Sequence, residues 1–420
     1  MAHEPLRRRM RKVGMSARLV PPGARELPAL TELRLEVRAF LAEQVAGGAF
    51  VPHVDTWLTR WDRDFTRELG RRGWLGMVIP TEYGGQGRTY LERFVITEEL
   101  LVVGAPVAAH WIAERQIGPS LLRYGTEEQK QAFLPGISRG EFVFGIGMSE
   151  PDSGSDLASV RTRADRVEGG WRLTGTKVWT SGAHEADAFF ALARSAPLDP
   201  AHRHDGLSQF IVDLRAPGVT IRPIISMGGD HHFNEVHLDG VLIPDDRVLG
   251  EVGEGWTQVT SELAYERSGP ERVLSTFQLL AAAAQAMDDG RLPTDPGLGR
   301  HVARVAALHH MSFAVSTALE QHEDADTAAA VVKVLGTTGE GDIADYVDTL
   351  TATGWALDEE LDTLLHAAIL QRPGFTLRGG TNEILRGVIA RGLGMRLWPT
   401  ATGSTTSLPP RRPTPTSSPC

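Results

Sequence analysis

Cysteine is almost missing from this chain: the only one among 420 residues is Cys420, the last. A lone thiol cannot close an intramolecular disulfide, so a packed core has to hold the fold, and the composition suits a reducing cytoplasm. No apolar run approaches the roughly 20 residues that a bilayer-spanning helix needs, which excludes an integral helical membrane protein. Positive charge is in deficit, and the formal net charge is −10. A nucleic-acid binder would normally present a basic face, so that class is disfavoured, although a local basic patch for an anionic ligand remains compatible with the total. Grouped metal ligands are also lacking. His231, His232 and His237 have no cysteine or carboxylate at recognisable ligand spacing beside them. The run Gly336-Thr337-Thr338-Gly339-Glu340-Gly341 lacks the Gly-Lys-Ser/Thr ending of a phosphate loop and reads as a connector between two helices.

What is present is a soluble globular composition, 41% hydrophobic and 23% charged, long enough for two or three domains. Residues 1–26 carry the basic run Arg7-Arg8-Arg9-Met10-Arg11-Lys12 without the apolar core of a signal peptide. They read as a disordered leader, or as a start placed upstream of Met10 or Met15. Residues 399–420, rich in Ser, Thr and Pro, read as a disordered tail.

Between these ends the pattern is helices, then strands, then helices, an α+β class with domains at 27–142, 143–250 and 251–398. Leu33, Val37, Phe40, Leu41 and Val45 recur at helical steps. Further helices are expected over 61–74 and 91–103, with a glycine-rich loop at 80–87 between them. Thr126 with Gln129 three residues on predicts a capping box. From Phe142 to Leu249 short apolar or alternating runs are broken by Gly, Pro and Asp about every ten residues, the mark of a β domain. After Gly255 a helix over 256–287 is expected to kink at Gly269-Pro270. Others follow over 302–320, 328–335 and 343–352, then from Asn382 to about Gly392, with Thr381 as its cap.

Two segments stand out within the β domain. Gly147-Met148-Ser149-Glu150-Pro151-Asp152-Ser153-Gly154-Ser155-Asp156 gathers turn residues into a loop that exposes backbone N–H groups and small hydroxyls. Downstream, the alternating run Trp171 to Trp179 ends in Thr180-Ser181-Gly182. A Trp followed two residues later by a hydroxyl puts a flat face and a donor on one side of a strand. Together they could form a wall for a planar heteroaromatic ring. These segments closely resemble the flavin-binding motifs of the acyl-CoA dehydrogenases, as do the loop Pro80-Thr81-Glu82-Tyr83-Gly84-Gly85-Gln86-Gly87 and the segment from Arg378 to Arg391. The resemblance covers about residues 27–397. It implies an N-terminal helical domain, a middle β-barrel domain and a C-terminal helical bundle, with FAD as cofactor.

The resemblance also implies roles. Ser149 and Ser181 would hydrogen-bond the flavin edge, Trp179 would lie over its face, and Thr180 falls in the same contact set. Ser155, with the backbone of Met148 to Gly154, would reach the pyrophosphate and the substrate's CoA arm. Thr381 and Glu383 match further flavin contacts. The catalytic base is where this chain departs: Gly379 stands where many members carry a Glu, and glycine cannot take a proton. Members resembling isovaleryl- and long-chain acyl-CoA dehydrogenases place the base on an earlier helix, before an Arg; here that is Glu266, followed by the substrate-side Arg267. Glu262 and Glu271, read as lying on the same helix, are next in line. Gly379 and Gly380 would offer N–H groups to the thioester oxygen.

Two family elements that reach a neighbour's FAD, Arg-x-x-Phe-Gly and Gln-x-x-Gly-Gly, are replaced here around Arg291 and by Thr351-Ala352-Thr353-Gly354-Trp355. Either Arg291 and local residues hold the adenine half, or a different partner subunit completes the site. The implied reaction is α,β-dehydrogenation of an acyl-CoA or acyl-carrier-protein thioester. An electron-transfer flavoprotein or another acceptor would take the electrons, in a homodimer or homotetramer with a heteromer possible. The alternatives are a flavin oxidase or monooxygenase on the same fold, and a non-autonomous subunit of a heteromeric dehydrogenase.

Overall fold

A computed structural model of the chain describes residues 28–266, 269–352 and 357–395, and of residues 262–266 the backbone alone. The first region is helical. Helix α1 (Pro28–Ala46) buries Leu33, Val37, Phe40 and Leu41 as their spacing predicts, together with Leu30, while Val45 is half-buried. It packs on α3 (Tyr90–Val102), and α2 (Arg63–Arg71) lies in the same core through Phe65 and Leu69. Helix α4 (Gly118–Tyr124) continues a helical run that begins at Ala108 and passes through a π-helical turn, and α5 (Glu127–Ser138) follows it. The predicted capping box at α5 is formed: Thr126 Oγ1 accepts from the Gln129 N–H, and the Gln129 side chain accepts from the Thr126 N–H, both at 3.2 Å.

The middle region is one sheet of eight strands: β1 (Phe144–Gly147), β2 (Arg163–Val167), β3 (Gly170–Ser181), β4 (Ala188–Arg194), β5 (Leu207–Asp213), β6 (Val219–Ile225), β7 (His231–Pro244) and β8 (Val248–Leu249). Its order is β6-β7-β3-β2-β4-β5-β8, with β1 parallel to β4. Strands β5 and β7 lie far apart in that order, yet Phe210 and Val212 share one core with Val236, Leu238 and Val241. Trp171 of β3 meets Phe210 edge-on, ring centroids 5.7 Å apart. The sheet therefore closes over its own apolar face.

The last region contains α6 (Gly255–Glu266), α7 (Phe277–Asp288), α8 (Gly297–Glu320), α9 (Asp326–Thr351), α10 (Glu359–Phe375) and α11 (Asn382–Gly392). Three expectations are corrected here. The helix expected over 256–287 is broken rather than kinked: α6 is described as far as Glu266, Gly269 is extended, and a 3₁₀ turn, Pro270–Arg272, precedes α7. Proline has no N–H for the helical ladder, and the turn buries Glu271 and Arg272 instead of exposing them. Glu271 therefore does not share a helix with Glu262 and Glu266.

The run from Gly336 to Gly341 is not a connector but the interior of α9, so the helices expected over 328–335 and 343–352 are one. Gly336 serves packing: a Cβ there would collide with the carbonyl oxygen of Arg272. The third difference is α10, absent from the sequence reading. It is capped by Asp358, whose side chain accepts from the Leu361 N–H, and it carries Pro373 near its end. Among the described residues no helix is long and apolar enough to cross a membrane, and no group of His, Cys, Asp or Glu is arranged to hold a metal. The expected leader at 1–26, Arg267, the departure at Thr353-Gly354-Trp355 and the expected tail at 399–420 lie outside the described residues.

Candidate active site

Trp179 and Ser181, expected from the sequence to form a wall, lie on β3. Its pairing with β7 slips between Lys177 and Thr180, and at that bulge Trp179 adopts a left-handed φ of 59°. Left-handed backbone costs a bulky residue about 1–2 kcal/mol, so the surroundings must hold it there. The indole is 57% exposed and meets Phe233 edge-on at 5.6 Å. Ser181 pairs with Phe233 across the ladder, so Trp179 and Ser181 stand on one face, as the alternation predicted. Thr180 does not join them: it is fully buried on the opposite face, and its carbonyl accepts from Asn234 at 3.1 Å.

The glycine- and serine-rich loop lies beside this face. The Val178 N–H donates to the Ser149 carbonyl at 3.0 Å. Glu150 and Ser153 exchange two backbone hydrogen bonds, 2.8 and 3.0 Å, and Ser153 Oγ donates to the Asp156 carbonyl at 2.8 Å. Among the described residues the hydroxyls of Ser149 and Ser181 and the exposed N–H groups of Gly154 and Ser155 are left without hydrogen bonds. A bare aromatic face, two open hydroxyls and two open N–H groups match what a flavin ring and its phosphates require, so the residues fit that cofactor.

What fixes the loop was not read from the sequence. Lys177, with no solvent exposure, donates from Nζ to Glu150 Oε1 at 2.8 Å and to the Met148 carbonyl at 3.2 Å. Glu150 also accepts from the N–H groups of Arg161, at 2.6 Å, and Thr162, at 2.8 Å. Burial brings the Lys177 ammonium down to about 8 against the pull of Glu150. Burial would raise Glu150, but Lys177 and the N–H donors outweigh it and hold the carboxyl below its ordinary range. The available signal was Lys177 falling in step with Trp171 and Leu173, on the inward face of an alternating strand.

The C-terminal part of the site is the turn between α10 and α11. Gly379 and Gly380 have φ of 69° and 83°, open to glycine at no steric cost. Their N–H groups make no hydrogen bond among the described residues. Below the turn the buried ammonium of Lys333 donates to the carbonyls of Gly380 (2.7 Å) and Thr376 (3.2 Å) and to Asn382 Oδ1 (2.9 Å). Thr381 caps α11 as expected, its hydroxyl accepting from the Ile384 N–H at 3.3 Å. Glu383 is exposed in the first turn of α11, 3.9 Å from Arg386.

Arg378 makes two 2.7 Å hydrogen bonds to Asp55, and both groups act electrostatically on His232, whose carbonyl accepts from the Gly182 N–H at 2.7 Å. The His232 ring is buried with neither nitrogen bonded, and burial lowers its basicity. The Glu266 and Glu262 side chains lie outside the description. Glu271, the other candidate base, is buried beside Arg115, 3.4 Å away, and Arg272. Arg291, expected as a substitute for the adenine contacts, is already paired with Asp289 at 2.8 Å and with Asp358.

Residues 28–141 match the acyl-CoA dehydrogenase N-terminal domain and residues 145–241 the acyl-CoA dehydrogenase middle domain. The chain is 34% identical to acyl-CoA dehydrogenase FadE29 of Mycobacterium tuberculosis, over 78% of this chain and 87% of that protein. It is 33% identical to acyl-CoA dehydrogenase IpdE1 of the same organism, over 86% and 96%. A third relative from that organism, acyl-CoA dehydrogenase FadE34, is 34% identical over 77% of this chain, but the match spans only 45% of that longer protein. Among solved structures, the Tcur3481-Tcur3483 steroid ACAD aligns over 89% of this chain and 99% of that one, with 33% identity and a TM-score of 0.75. The ChsE4-ChsE5 complex from Mycobacterium tuberculosis aligns over 89% and 99%, with 28% identity and a TM-score of 0.73.

Proposed function

Because this chain belongs to the acyl-CoA dehydrogenase family, we propose that it carries out FAD-dependent α,β-dehydrogenation of an acyl thioester, giving the 2-enoyl thioester. Two open surfaces support this reading: the exposed Trp179–Ser181 face beside the Ser149 loop, and the unbonded N–H groups of Gly379 and Gly380. FAD, when bound, supplies the acceptor for the β-hydride. Trp179 would offer a flat surface for its ring, Ser149 and Ser181 would hydrogen-bond the ring edge, and the N–H groups of Gly154 and Ser155 would hold the phosphates.

Glu266 takes the α-proton as general base. The N–H groups of Gly379 and Gly380 donate to the thioester oxygen, which gains negative charge as that proton leaves. Two relatives that resemble this chain are named as two-protein complexes, one of them a steroid ACAD. A bulky polycyclic acyl group is therefore the first substrate class to try. The internal pairing of Arg291 favours a second subunit as the holder of the adenine half.

The test is anaerobic mixing of the yellow holoprotein with a panel of acyl-CoA and acyl-carrier-protein thioesters, linear, branched and polycyclic. Bleaching of the flavin by one class identifies the substrate, and no bleaching by any thioester would sink the reading. Rapid reoxidation by air with substrate bound would assign an oxidase instead. A chain that holds no flavin until a second protein is added would assign a subunit of a heteromer.

A further inference from the structure

Asp55 is one of the few non-glycine residues described with a left-handed backbone, at φ 55°, and its side chain has no solvent exposure. Strain at a buried polar residue calls for a reason. Both carboxylate oxygens of Asp55 are taken by one guanidinium, Arg378 Nη1 and Nη2, at 2.7 Å each. That planar two-point contact fixes the direction of the arginine as well as its distance. The guanidinium is further bounded by aromatic rings, 4.7 Å from the Trp57 centroid and 5.2 Å from that of Phe375. Trp57 is itself held, its indole N–H donating to Ser275 Oγ at 3.1 Å, and the Asp55 N–H donates to the Ser275 carbonyl at 2.8 Å. Asp55 thus sits on a rigid platform drawn from the first and last regions of the chain.

Arg378 immediately precedes Gly379. Two successive glycines have little conformational preference of their own, so their N–H directions depend on what grips the turn. Lys333 grips it through the Gly380 carbonyl, from the side of α9. The Asp55 carboxylate grips it through Arg378, from the N-terminal region. Resting on the reading proposed above, we propose that Asp55, acting through Arg378, is a positioning residue that aims the Gly379 and Gly380 amides at the thioester oxygen. Neither side chain touches the substrate in this account; their effect is on the direction of two N–H groups.

The test uses Asp55→Asn in the holoprotein, because asparagine tolerates a left-handed φ but cannot neutralise the guanidinium. The probes are the 2-enoyl product of whichever acyl-CoA bleaches the wild-type flavin fastest, and the S-alkyl-CoA thioether of the same carbon skeleton. The thioether lacks the carbonyl oxygen. Each dissociation constant is read from the shift in flavin absorbance. The expected result is that the wild type prefers the thioester, and that this preference falls at least tenfold in the variant while thioether binding changes less than about threefold. Equal weakening of both probes, or an unchanged ratio, would overturn the proposal and leave the pair a tie between regions. Should Asp55→Asn fail to fold, Arg378→Lys, which keeps the charge but loses the two-point geometry, is read in the same way. A wild-type flavin bleached by a thioester, together with an unchanged ratio, defeats this inference alone. A wild-type flavin that no thioester bleaches defeats the reading beneath it, and this inference with it.

Discussion

Lys177 and Glu150 meet at 2.8 Å beneath the loop that carries Ser149, with the ammonium wholly out of solvent. Neither charge is accessible to a ligand, so the pair shapes the site from behind. Taking one partner from a buried pair strands the other, at a cost of about 3–5 kcal/mol. Lys177→Met should lower the unfolding free energy by about 3 kcal/mol in urea titrations and release FAD on gel filtration. Adding Glu150→Gln to that variant should restore part of the stability, because the stranded charge is removed. A double variant as unstable as the single one would show that the pair is not coupled.

Trp179 sets two local terms against each other. Its left-handed φ costs about 1–2 kcal/mol, while its edge-on contact with Phe233 contributes about 0.5–1.5 kcal/mol. Trp179→Gly loses both, so the urea midpoint should move by the equivalent of about 1 kcal/mol or less. Flavin affinity, measured by fluorescence titration of the apoprotein, should fall at least tenfold because the flat surface is gone. A large loss of stability with unaltered flavin affinity would make the indole a packing residue.

The same contrast shows what the sequence could and could not reveal. Periodicity exposed α1 through Leu33, Val37 and Phe40, and side-chain chemistry exposed the caps at Thr126 and Thr381, because those signals are local. The run from Gly336 to Gly341 misled because glycine serves turns and close packing alike. Only the approach of Arg272 to α9, some 60 residues away in sequence, shows which applies. The motif residues Ser149, Trp179 and Ser181 were legible as a set; Trp179 and Ser181 share one face of β3, and the Ser149 carbonyl is tied to that strand through the Val178 N–H. Thr180 was not separable from them, since a bulge and a facing strand decide which side it takes. Asp55 and Arg378, 323 positions apart, left no trace that one sequence could display.

Glu266 follows Tyr265 in the last described turn of α6. A general base contributes about 10²–10⁴-fold to a proton abstraction. Glu266→Gln should therefore slow flavin reduction by the best thioester at least about a hundredfold in anaerobic stopped-flow mixing, with FAD content and product affinity retained. Reduction at the wild-type rate would move the base to another carboxylate. Glu262 would be tested first, because Glu271 is enclosed by Arg115 and Arg272.

Glu340 provides a test by pH. It is buried in α9, accepts from the Ser275 N–H at 2.8 Å, and leaves its second oxygen without a partner. Burial pushes its carboxyl up to about 7, against the opposing pull of Arg378, with Asp55 adding to the rise. The unfolded chain loses that proton near the ordinary glutamate value of about 4.3, whereas the folded chain keeps it to about pH 7. Through that window the unfolded state binds fewer protons, so Glu340 makes stability fall as pH rises, by about 1.4 kcal/mol per unit at most. Glutamine keeps an acceptor for Ser275 and never ionises. Glu340→Gln should be close to the wild type in urea at pH 4.5, and should be more stable by about 2–3 kcal/mol at pH 8. Taking the difference between the two proteins at each pH cancels the titration of every other group. A difference that stays flat from pH 4.5 to 8 would mean that Glu340 ionises like an exposed glutamate, and that the ground beneath Arg378 is wetter than its burial implies.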